Sequence, residues 1–131
     1  MANQGGIEEP MLPVSHPILV VDDDRAIADI ISSFLREEGY SVVVAHNGKE
    51  ALEHAKAARV DLILLDMKMP VMDGWAFAAA YRYQVKSHAP IVVMTAAHDT
   101  RQRANEIAAD GFIAKPFDLD DLLAVVRRYV P

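Results

Sequence analysis

Five chemically active side chains stand at the ends of short apolar runs in this sequence. Asp22 and Asp23 close Ile18-Leu19-Val20-Val21, and Asp66 closes Leu62-Ile63-Leu64-Leu65. Thr95 closes Ile91-Val92-Val93-Met94, and Lys115 closes Phe112-Ile113-Ala114. A short apolar run bounded by polar residues reads as a strand buried in a parallel sheet. All strand ends of such a sheet lie on one edge, and open α/β sheets bind ligands outside that edge. Clustered carboxylates repel one another unless protonated or neutralised by a cation. Hard oxygen ligands suit Mg²⁺, which shares its site with phosphate oxygens. A threonine hydroxyl and a lysine ammonium are groups that a phosphoryl oxygen binds. A carboxylate in that setting can itself be the nucleophile and form an aspartyl-phosphate.

The elements between these runs supply the positioning. Ile27, Ile30, Ile31, Phe34 and Leu35 recur at helical spacing as one apolar stripe, and Gly39 is placed to end that helix. Ser41–Ala45 is β-branched and reads as a second strand. Asn47 with Glu50 resembles a capping box, opening a helix that buries Ala51, Leu52 and Ala55. Asp73-Gly74 leads into a helix carrying Trp75, Phe77, Ala78 and Tyr81. A weakly apolar helix is expected over 100–109, on Ala104, Ile107 and Ala108. The last helix carries Leu119, Leu122, Leu123 and Val126, with Asp118 as N-cap. Five strands alternating with five helices through short connections predict an α/β fold, a parallel sheet with helices on both faces.

The 131 residues suit one domain. Residues 1–16 mix Gly, Pro and acids without period and read as a flexible tail, leaving 17–131 as the domain. The 131 residues end soon after the fifth expected helix, and no output domain is expected within them. Cys is absent, which excludes disulfides and thiolate metal sites. The net charge of −6 disfavours nucleic acid as a ligand. No apolar run reaches the roughly 18 residues of a membrane span, and no signal peptide is evident. A cytoplasmic location is expected.

The motifs ILVVDDD, LILLDMKMPVMDG, IVVMTA and GFIAKPF occur in this order, each at a strand end. Together they resemble the response-regulator receiver domain of two-component signalling and phosphorelays, over about residues 17–130. The resemblance implies a flavodoxin-like doubly wound sandwich with strand order 2-1-3-4-5. It implies that Asp66 is the phospho-acceptor and takes the phosphoryl group from a phosphohistidine. It implies Mg²⁺ as cofactor, held by Asp23, Asp66 and the backbone carbonyl of Lys68, with Asp22 acting through metal-bound water. Lys115, joined to Pro116 by a cis peptide, would pair with the phosphoryl group. Thr95 would swing inward to bond it, and Phe112 would turn in behind Thr95 as the switch aromatic. The resemblance also implies that Lys68 and Ala97 stand where side chains control access of water to the acyl phosphate. The implied partners are a histidine kinase or histidine phosphotransfer protein as donor and a downstream protein as target. The domain would be a monomer or a weak phosphorylation-dependent dimer. It would stand alone or be part of a hybrid kinase or larger regulator, and it would catalyse only its own phosphorylation and dephosphorylation.

Other readings predict other residues. A Mg²⁺-dependent phosphatase with an aspartyl-phosphate intermediate usually carries a second acid two residues after the nucleophile, and that position is Lys68. A non-phosphorylated module of the same fold usually lacks one of the site residues, and all are present. Asp24 reads as a solvated or capping residue. The five histidines show no metal-ligand spacing. Trp75, Phe77 and Tyr81 read as packing residues.

Overall fold

The computed structural model describes residues 15–96 and 98–131. The expected tail lies outside the described residues except for Ser15 and His16, and so does Ala97. The elements run β1 (Ile18–Val21), α1 (Arg25–Glu37), β2 (Val42–Ala45), α2 (Gly48–Ala57) and β3 (Leu62–Asp66). They continue with α3 (Gly74–Gln84), β4 (Ile91–Ala96), α4 (Thr100–Glu106), β5 (Gly111–Lys115) and α5 (Leu119–Tyr129). The strands form one five-stranded parallel sheet in the order β2-β1-β3-β4-β5, as expected.

Alternation along the strands sorts their side chains onto two cores. Leu19, Val21, Ile63, Leu65, Ile91 and Val93 face α2, α3 and α4, where Leu52, Phe77, Tyr81 and Ala104 meet them. Ile18, Val20, Leu62, Leu64, Val92 and Met94 face α1 and α5, where Ile31, Leu35, Leu122 and Val126 meet them. Each such side chain contributes about 1.5–3 kcal/mol through burial. The central strands are apolar on both faces because helices cover both.

The caps follow the sequence with adjustments. Asp24, Asp73 and Asp118 accept from the backbone N–H groups of Ile27, Ala76 and Asp121. Asn47 accepts from Glu50 N, but Glu50 accepts in return from His46 N, one residue before the cap. Gly39, at φ 97, ends α1, and Tyr40 N and Gly39 N return to the carbonyls of Leu35 and Arg36. The fourth helix is shorter than expected. Ala108 takes φ 52 in the place where α1 has glycine, and Ala109 N bonds Ala104 O at 2.8 Å. That turn closes the helix at Glu106, so Ala108 is exposed and adds nothing apolar to it. Ile30 also departs from expectation. It is 57% exposed, because α1 buries the adjacent stripe of Ala28, Ile31, Ser32 and Leu35.

Candidate functional site

The carboxyl edge of the sheet gathers the predicted groups. β1 pairs with β3 from Ile18↔Leu62 to Val21↔Leu65, so Asp22 and Asp66 leave adjacent strands at the same level. Ligand oxygens of Asp22, Asp23 and Asp66 lie within 4.8 Å of one another. Lys115, at the end of β5, reaches back across the edge. Its Nζ donates to Asp22 Oδ2 at 2.7 Å and to Asp66 Oδ2 at 3.5 Å. Thr95 lies one residue beyond Met94, which pairs with Asp66, and is buried. Phe112 pairs with Val93 but is 38% exposed, so its ring faces outward. Lys68 is exposed, two residues beyond Asp66. The Lys115–Pro116 peptide is cis, as the resemblance implies.

The charges do not balance. Three carboxylates against one ammonium leave two negative charges. Asp22 is fully buried, and its oxygens are engaged by Lys115 and by Asp24 N at 2.9 Å. Asp66 is 9% exposed. Burial, against the pull of Lys115 and with the charges of Asp22 and Asp23 adding to it and the Met67 backbone N–H opposing it, leaves its carboxyl raised to about 6. For Lys115, burial acts to lower the pKa. The hydrogen bond to Asp22 and the charges of Asp66 and Asp22 outweigh it, so the pKa is raised. The donor set is all hard oxygen with excess negative charge, which fits a divalent cation.

The loop after Asp66 is held on both sides. Gly48 N donates to Met72 O at 2.8 Å, and Met72 N donates to Pro70 O at 2.8 Å. The latter closes a tight three-residue turn with Val71 at φ 71, a conformation that costs a β-branched residue about 1–2 kcal/mol. Gly74 N donates to Met67 O, and α3 starts against the site strand itself. A Cβ on Gly74 would stand 2.8 Å from Met67 Cα and 2.9 Å from Asp66 O. Gly74→Ala is therefore expected to cost about 1–3 kcal/mol, the usual range for overpacking. Chemical denaturation in urea would measure it.

His46, the residue after β2, also reaches the site. Its Nδ1 lies 3.1 Å from the carbonyl oxygen of Asp22 and buttresses the acidic loop. Spacing alone did not reveal this, because the contact crosses between strand ends far apart in sequence. Trp75 also exceeds a packing role, since its Nε1 donates to Glu106 at 2.8 Å and bridges α3 to α4.

The sequence model of the response regulator receiver domain matches residues 18–127. The chain belongs to this family. It is 35% identical over 120 residues to sporulation initiation phosphotransferase F of Bacillus subtilis, covering 90% of this chain and 96% of that protein. The fold aligns at a TM-score of 0.79 and 35% identity with chemotaxis response regulator CheY4 of Vibrio cholerae, covering 88% of this chain and 99% of that one. Response regulator TrrA of Thermotoga maritima, solved in complex with Mg²⁺-BeF, aligns at 0.76 and 36% identity over 87% and 98% of the two chains. The chain spans about half the length of other curated relatives it matches, among them transcriptional regulators of Streptococcus agalactiae. The protein is thus a receiver domain of two-component signalling, a class phosphorylated by histidine kinases, and its acidic pocket fits a phospho-acceptor site. The phosphatase and inert-module readings are not favoured. Among the described residues, no helix is long and apolar enough to cross a membrane.

Proposed function

We propose that Asp66 is the phospho-acceptor of this receiver and takes its phosphoryl group from a phosphohistidine in a Mg²⁺-dependent reaction. The observation that carries the reading is the meeting of Asp22, Asp23 and Asp66 within 4.8 Å, under a lysine that bonds two of them. One Asp66 carboxylate oxygen attacks phosphorus in line. A P–O bond forms, the P–N bond breaks, and the electron pair stays with the imidazole nitrogen. Asp23, Asp66 and the Lys68 carbonyl would hold Mg²⁺ with help from Asp22, and the bound ion would offset the charge of the incoming phosphoryl group. Lys115 shifts its ammonium from Asp22 toward the new phosphoryl oxygens. Thr95 then donates to one of them, and Phe112 turns inward. The face made by α4, β5 and α5 changes its population of conformers and with it the affinity for a downstream protein.

The receiver unit is taken as 17–131, preceded by a tail of residues 1–16. It catalyses only its own phosphorylation and dephosphorylation, in the cytoplasm. It is a monomer or a weak phosphorylation-dependent dimer, and it works alone or as part of a hybrid kinase or larger regulator. This domain takes no nucleic acid. An apolar groove of about 660 Å³ between α1 and the β5–α5 loop, lined by Ile27, Ile30, Phe117 and Leu119, opens beside Lys115. Its position supports docking of a histidine kinase or a histidine phosphotransfer protein there.

Incubation with a phosphohistidine-charged phosphotransfer protein and Mg²⁺ tests the transfer. Label should leave the donor and appear on the receiver, and chelation of Mg²⁺ should slow this at least tenfold. Equal transfer with and without chelator would contradict the metal-dependent reading.

A further inference from the structure

Helix α4 carries two arginines that reach aromatic rings on either side of it. Its buried residues are Thr100 and Ala104, both small. On the α3 side, the Arg103 guanidinium lies 5.1 Å from the Trp75 ring centroid. Trp75 Nε1 donates to Glu106, and Arg103 lies 3.3 Å from the same carboxylate. On the β5 side, the Arg101 guanidinium lies 5.5 Å from the Phe112 ring centroid. The two arginines sit two residues apart on one short helix and reach opposite neighbours. The seat on Trp75 is imperfect, since Arg103 Nε is buried without a hydrogen-bond partner among the described residues. An orphaned buried donor makes a packed position easier to leave.

We propose that Arg101 is a latch on Phe112 that holds the switch ring outward, with the Trp75–Glu106–Arg103 contact placing α4 so that Arg101 reaches the ring. The latch rests on the reading of Asp66 as phospho-acceptor and of Phe112 as the aromatic that turns inward. Phe112 has no hydroxyl, so no hydrogen bond can fix its orientation. A cation over the ring face supplies the missing preference, and it acts only while the ring is outward. Turning Phe112 inward takes the ring away from Arg101. The contact therefore stabilises one of the two states and shifts their ratio by about two- to five-fold, the range of a partly exposed cation–π pair. Binding free energies are reciprocal. Whatever holds the ring outward weakens the binding of a phosphoryl group, or of its mimic, at Asp66 by up to the same factor.

The test is a titration of beryllofluoride, a phosphoryl mimic, at fixed Mg²⁺. Binding is read by heat and by the emission of Trp75, the single tryptophan. Four proteins are compared: wild type, Arg101→Ala, Phe112→Leu and the double variant. Arg101→Ala should tighten beryllofluoride about two- to five-fold in the wild-type background and leave it unchanged in the Phe112→Leu background. Arg101→Lys, which keeps a cation within reach of the ring, should tighten beryllofluoride less than Arg101→Ala does. In the metal-free protein, Arg101→Ala should move the Phe112 ring resonances toward their positions in the beryllofluoride complex. Unchanged affinity and unchanged ring resonances in Arg101→Ala would overturn the latch. An equal effect of Arg101→Ala in both backgrounds would also overturn it, because that marks a simple charge effect on the anion. Wild type that binds no beryllofluoride, or Asp66→Asn that binds it equally well, would remove the reading beneath the latch and the latch with it.

Discussion

Lys115→Met is expected to destabilise the metal-free protein at neutral pH by about 2–4 kcal/mol, the largest stability effect of any single change at the site. Asp22 has no solvent exposure, and Lys115 Nζ meets it at 2.7 Å. Removing one partner of a buried pair leaves an uncompensated charge, at a cost of about 3–5 kcal/mol for full burial. The Lys115 side chain is 21% exposed, so water entering its place offsets part of that cost. Asp22→Asn together with Lys115→Met should recover part of the loss, since the fully buried carboxylate is then neutral and Asp66, which also loses its lysine, keeps its charge. The raised Lys115 pKa gives the same contact a pH signature. Its contribution is complete below the ordinary lysine value of 10.5 and falls as pH rises through the higher folded value. Urea denaturation of the single and double variants checks the sign and size. A single variant as stable as wild type would show that Asp22 does not need its lysine.

Asp66→Asn is expected to do the opposite, stabilising the metal-free protein at pH 7–8 by the order of 2 kcal/mol. Burial pushes the Asp66 carboxyl from 3.8 up to about 6, so the folded protein binds its proton more tightly than the unfolded chain does. Stability therefore falls as pH rises from about 3.8 to about 6, and above that window the full cost of the buried charge remains. Asparagine carries no charge to bury, so its contribution should be flat over the same window. The same substitution should forfeit most of the stabilisation that Mg²⁺ gives to wild type, because ligand binding to the folded state alone raises stability by mass action. Thermal melts at several pH values, with and without Mg²⁺, give both results. A neutral-pH melting temperature lower in Asp66→Asn than in wild type would contradict this account of the charge balance.

The parts of the site that were legible in sequence share one physical property. They sit where an apolar run stops, and a parallel sheet makes run-ends neighbours without further information. Asp22, Asp23, Asp66 and Lys115 were readable for that reason, and the fold followed from the same alternation of strands and helices. The caps at Asp24, Asn47 and Asp118 were readable because capping is local. Contacts between elements were not. Nothing in the spacing of His46 announces the Asp22 carbonyl, and nothing near Trp75 announces Glu106, 31 residues on. Ile30 fits the helical period of the buried stripe, but its rotation around α1 depends on how the helix sits on the sheet, and that is a tertiary choice. Ala108 read as helix because alanine favours helix. A left-handed turn that returns Ala109 N to Ala104 O overrode that preference.

The central claim is that Asp66 accepts a phosphoryl group, and small-molecule phosphorylation measures it most directly. Acetyl phosphate with Mg²⁺ should place one acyl phosphate on the wild-type chain, labile to both acid and alkali. Peptide mapping after borohydride reduction should locate it at residue 66, and Asp66→Asn should carry none. Acyl-phosphate label of equal amount on Asp66→Asn would contradict the account.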